Sequence, residues 1–144
     1  MVTAVVVSAG LLICGVTGCM SSHAGTSKDF AAIDAAVASM QTSGIGPITS
    51  DKRYGQSRIS SDPPTRELVV TITSDAADAL RRTETALQSS GFIVDSPPST
   101  DQITVQTTSI WNKLEGSIQV RVYFSLTPGS GSSTEVHLVA RVLG

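Results

Sequence analysis

Apolar and polar residues alternate with a period of two through much of the second half of the chain. Leu68, Val70 and Ile72 alternate with Val69, Thr71 and Thr73. Ile118, Val120, Val122, Phe124 and Leu126 alternate with Gln119, Arg121, Tyr123 and Ser125, and Val136, Leu138, Ala140 and Val142 alternate with Glu135, His137, Val139 and Arg141. Successive side chains of a strand point to opposite faces, so each run predicts a strand with one buried face. Thr127-Pro128-Gly129-Ser130-Gly131-Ser132-Ser133 lies between the last two runs and reads as a turn, which makes them a hairpin.

Two other stretches carry the helical period. Between Asp29 and Ser43, Phe30, Ile33, Val37 and Met40 follow at steps of three and four, and Gly44 comes next as a stop. Between Asp75 and Ser90, Ala76, Leu80, Thr83 and Leu87 share a face, Asp75 and Asp78 suit the positive end of the helix dipole, and Gly91 ends the element. The Leu80/Leu87 face is expected to pack on Val120, Val122, Val136 and Leu138. Met40-Gln41-Thr42-Ser43-Gly44-Ile45 and Leu87-Gln88-Ser89-Ser90-Gly91-Phe92 match in residue type at every position. Each is followed by a polar turn and a short β-like segment, Arg58-Ile59-Ser60 and Gln102-Ile103-Thr104-Val105. Two explanations stand: an internal duplication, or the common way in which a helix stops and enters a strand. The resulting order is helix, weak hairpin, strand, helix, two strands and a long hairpin. It predicts an α+β fold, a mainly antiparallel sheet with two amphipathic helices on one face, over residues 29–144.

The N-terminal pattern differs. Val2 to Gly18 carries no charge, and Ala4 to Ile13 is an apolar run of ten residues. A bilayer crossing needs about 20 apolar residues and a signal-peptide core about 7–15, so an export signal is expected over residues 1–18. Val16-Thr17-Gly18-Cys19 then resembles the bacterial lipobox, an aliphatic residue and two small ones before the cysteine that receives diacylglycerol. The resemblance implies lipid attachment at Cys19. Cys14 follows the bulky Ile13 and suits the cleavage position less well. Secretory signals usually begin with Lys or Arg, whereas the first basic residue here is Lys28; an upstream start with a basic stretch would repair the pattern and leave the lipobox unaffected. Buried in an ordinary helix, Cys19 would instead be a small core residue. Cleavage would leave one cysteine, blocked by lipid, and no disulfide. Residues 19–28, small and polar, are expected to form a flexible tether.

Composition narrows the function. The chain has 144 residues, 40% of them hydrophobic and 4% aromatic, with a net charge of −2, so neither a basic excess nor an aromatic stacking surface for nucleic acid is present. The segment from Arg66 to Gly144 resembles the helix-grip modules of outer-membrane assembly lipoproteins. The shared features are a strand, an amphipathic helix ending Leu87-x-x-x-Gly91-Phe92, a strand, and a polar turn into Ile103-x-Val105 before a wide hairpin. This resemblance implies an accessory or scaffolding role without catalysis, and it carries no functional residue across.

Chemistry-bearing patterns are sparse. The sequence holds no Gly-x-Ser-x-Gly elbow, no phosphate-binding glycine loop and no His-Glu-x-x-His motif, and its two histidines are His23 and His137. No metal or cofactor site is expected, and the scattered carboxylates form no acid/base pair. One surface stands out, the polar side of the last hairpin, where Arg121, Tyr123, His137 and Arg141 should project together. Two guanidiniums and an aromatic ring suit an acidic or carboxylate-bearing partner, although a solvated face with cross-strand charge pairs explains the same residues. Trp111, the only tryptophan, falls in the connection Ser109 to Gly116 and is either a surface anchor or a lid on one end of the core. The expected function is therefore a membrane-anchored protein of the bacterial cell envelope, on its periplasmic or extracytoplasmic face. It would act by binding an envelope protein or polymer. A lipid or small-ligand carrier with an apolar pocket between helix and sheet is the alternative, and a small anchored hydrolase a third reading.

Overall fold

A computed structural model describes residues 21–55, 63–98 and 108–143. Helix α1 spans Ser21–Thr42 and α2 spans Ala76–Ser89. Six strands follow one another as β1 (Ile48–Tyr54), β2 (Thr65–Ile72), β3 (Ile93–Ser96), β4 (Thr108–Glu115), β5 (Ile118–Pro128) and β6 (Thr134–Val142). They form one sheet in the order β1-β2-β6-β5-β4-β3, with every neighbouring pair antiparallel. Both helices pack on the same face, over the central strands β5 and β6. The α+β fold expected from the period-two and period-3.6 patterns is therefore present. Leu80, Leu87, Val120, Val122, Val136 and Leu138 all belong to the one buried core.

Local chemistry explains the helix ends. Asp75 caps α2 by accepting the backbone N–H of Asp78 at 2.9 Å, and Asp78 in turn pairs with Arg81 and Arg82. At the other end, the N–H of Phe92 reaches back to the carbonyl of Leu87 (3.0 Å), and that of Gly91 to Gln88 (3.0 Å). Helix α1 ends in the same way, with Ile45 bonded to Met40 (3.3 Å) and Gly44 to Gln41 (3.0 Å). This is the Schellman arrangement, which needs a left-handed residue after the cap; Gly44 and Gly91 sit at φ 79° and 83°. The six-residue match in sequence is thus two copies of one cap, each with its apolar pair buried: Met40 with Ile45, Leu87 with Phe92. The caps also meet, Ser90 Oγ donating to Ser43 Oγ at 3.0 Å. Each helix leads into an edge strand and then an inner one, so the sheet order reads alike from both edges.

Three expectations need correction or lie elsewhere. Helix α1 already includes Ser21, ahead of Asp29, so the stretch 21–28 expected as part of the tether is helical. Trp111 belongs to β4 and not to a loop. The β-like segments 58–60 and 102–105, the signal region 1–18 and Cys19 lie outside the described residues.

An ion-pair network joins α1 to the β1 edge. Arg66 Nη2 and Nε hold both oxygens of Asp51 at 2.7 and 3.0 Å, while its Nη1 lies 2.9 Å from Asp34 on the helix. Arg53 Nη2 is 2.9 Å from the same Asp34 oxygen, and its guanidinium lies over the Phe30 ring. Hydrogen bonding to Arg66 holds the Asp51 carboxyl below the ordinary carboxylate value.

Candidate binding surface on the open face of the sheet

Strand alternation places Val120, Val122, Phe124 and Leu126 under the helices and turns Gln119, Arg121, Tyr123 and Ser125 to the other side. On β6, Glu135, His137, Val139 and Arg141 face the same way. Register makes Arg121 and Arg141 direct cross-strand partners, Tyr123 opposite Val139, and Ser125 opposite His137.

Like charges directly opposite each other on antiparallel strands repel, so the two arginines need local compensation. Arg121 Nε donates to Asn112 Oδ1 at 2.8 Å, and its Nη2 lies 3.3 Å from Asp95 Oδ2. The Arg141 guanidinium stacks on Tyr123, 4.5 Å from the ring centroid, and Nη2 donates to the Tyr123 hydroxyl. Such a stack contributes about 0.5–2 kcal/mol, depending on how far it is shielded from water. Partial burial pushes the Tyr123 phenol up, but the flanking Arg121 and Arg141 guanidiniums outweigh it and hold the group below its ordinary value. Three of the four residues expected to form a surface therefore lie side by side, Arg141 held by Tyr123 and Arg121 by Asn112 and Asp95.

His137 stands apart from them. It lies on the same face, and its Nε2 is 3.5 Å from Glu135 Oε2, with both side chains close to half exposed. Trp111 is not on this surface at all. It is 2% exposed, under the helices, and its indole N–H donates to Ser109 Oγ at 2.8 Å; Ser109 Oγ donates on to the Ser96 carbonyl. Of the two readings of Trp111, the surface anchor is overturned and the buried position in the core is the one observed.

Sequence reading missed a groove of about 490 Å³ beside the arginine pair, at the β3 end of the sheet. Its lining includes Ile93, Asp95, Asn112, Leu114 and Gln119. Ile93 is 74% exposed and Leu114 68%. Little in the sequence signals it, because Ile110-Trp111-Asn112-Lys113-Leu114 lacks the period of two and Ser109 to Gly116 reads as a connection. A second groove of about 280 Å³ crosses the open face near Lys52, Glu67, Val69 and His137, and a third of about 230 Å³ lies near Gly44, Thr71 and Arg82. Among the described residues, no group of three or more His, Cys, Asp or Glu is placed to hold a metal ion. Compared with known proteins, the chain matches no family model, no curated protein and no solved structure.

Proposed function

We propose that this chain is an envelope lipoprotein, anchored to a bacterial membrane by acylated Cys19, whose α+β domain works by binding and not by catalysis. The observation that carries the binding reading is the open face of the sheet. Both helices cover one side, while the other presents Arg121, held by Asn112 and Asp95, next to Arg141 stacked on Tyr123. Held guanidiniums recognise carboxylates and other oxyanions with little loss of side-chain freedom on binding. The anchor rests on the lipobox-like Val16-Thr17-Gly18-Cys19 behind its apolar run. Among the described residues no helix is long and apolar enough to cross a membrane.

Replacing Arg121 and Tyr123 together by Ala tests the binding reading. Both side chains lie outside the core, so each substitution should change stability by about 0.5 kcal/mol or somewhat more where the Tyr123 stack is lost. Recovery of the cross-linked partner from native envelopes should fall sharply. Unchanged recovery from a normally folded variant removes this face from the function. Among the described residues, none of the three grooves is lined by Leu80 or Leu87.

A further inference from the structure

The two edges of the sheet are built differently. Strand β1 carries Asp51, Lys52 and Arg53, the charges that ordinarily keep an edge in water. Strand β3 instead exposes Ile93 and Val94. Ile93 and Leu114, its neighbour on β4, are the most exposed large apolar side chains among the described residues, at 74% and 68%. Both line the groove of about 490 Å³, a volume within the range of small-ligand sites.

Asp95 and Asn112 stand in the wall of that groove and are also the two groups that grip Arg121. Arg121 is thereby held beside the groove, behind the Asp95 and Asn112 that line it, with Arg141 directly across the strand pair on the side away from β4. Two guanidiniums against one carboxylate leave an excess of positive charge there. Hydrogen bonds among the described residues use Nε and Nη2 of Arg121 and Nη2 of Arg141, so Nη1 of each is left to meet an anion. An apolar trough with a fixed cation pair beside it is complementary to a molecule with a hydrocarbon body and one oxyanion head.

We infer that the groove and the Arg121/Arg141 pair form one site for an amphiphilic carboxylate of the fatty-acid class. Its hydrocarbon lies against Ile93 and Leu114, and its carboxylate meets the guanidiniums from the open face, beside the Tyr123 hydroxyl that they flank. This rests on the reading that the open face is the binding face, and it names the ligand.

Decanoate is the probe, titrated into the full chain carrying Cys19→Ala so that no acyl group of its own competes. Decanoate should bind and raise the melting temperature, whereas decanol and acetate bind at least about tenfold more weakly, because each lacks half of the interaction. Arg121→Gln and Arg141→Gln should each weaken decanoate about tenfold. Ile93→Ser, at a site too exposed to unfold the domain, should weaken it as well. Equal binding of decanol, or decanoate affinity unchanged in both arginine variants, overturns the inference. If decanoate does not bind while the Arg121/Tyr123 variant still loses its envelope partner, the ligand class is wrong and the face stands. If both experiments fail, the face reading fails too.

Discussion

Trp111→Ala is expected to destabilise the domain by about 3–5 kcal/mol, a large part of the 5–15 kcal/mol by which domains of this kind are stable. The ring is 2% exposed and lies between Val94 of β3 and Val122 of β5 in the register of the sheet. Truncation leaves a cavity under the helices that the strands cannot close without losing their pairing. It also removes the indole N–H donor to Ser109 Oγ, the hydroxyl that ties β4 to β3 by donating to the Ser96 carbonyl. Trp111→Phe keeps most of the apolar bulk and should cost distinctly less. Urea unfolding followed by circular dichroism measures both. A loss below about 0.5 kcal/mol for Trp111→Ala, ordinary for a surface position, would put the side chain outside the core.

The second large effect concerns the proposed anchor. Cys19→Ala should move the protein from the membrane to the soluble fraction, and its intact mass should lack diacylglycerol. Each buried methylene contributes about 0.8 kcal/mol, so two acyl chains hold a protein at a membrane and their removal releases it. The apolar run Ala4 to Ile13 is ten residues, about half of what a spanning helix needs. Cys14→Ala should remain membrane-bound. The reverse outcome, Cys14→Ala released and Cys19→Ala retained, would overturn the assignment.

How much of this was legible in the sequence depended on what satisfied the inward-facing positions. In β5 and β6 those positions are apolar, and the Gly/Ser turn between them fixes the hairpin, so the pattern was plain. Helix α2 announces itself through Asp75 at its start and Gly91 at its end. In β4 the side facing the helices holds Ser109 and Lys113 beside Trp111, and polar partners satisfy them: Ser96 for the serine, Ser39 and Glu115 for the lysine. A strand whose inner positions are satisfied by hydrogen bonds and not by apolar contact leaves no alternation to read. Strand β1 is hidden for the same reason, because Asp51 and Arg53 are engaged by Arg66 and Asp34. The cluster of Arg121, Tyr123 and Arg141 followed from strand parity alone, whereas its neighbouring groove depends on β3 and β4 lying side by side.

The central claim is that the open sheet face, and not the helix side, meets the partner. Site-specific photo-cross-linking in intact cells tests it directly, with the probe placed at Gln119 and Ser125 on the open face and at Arg81 and Gln88 on the outward side of α2. Adducts concentrated at Gln119 and Ser125 are the predicted result; adducts at Arg81 and Gln88 with none on the open face would contradict it.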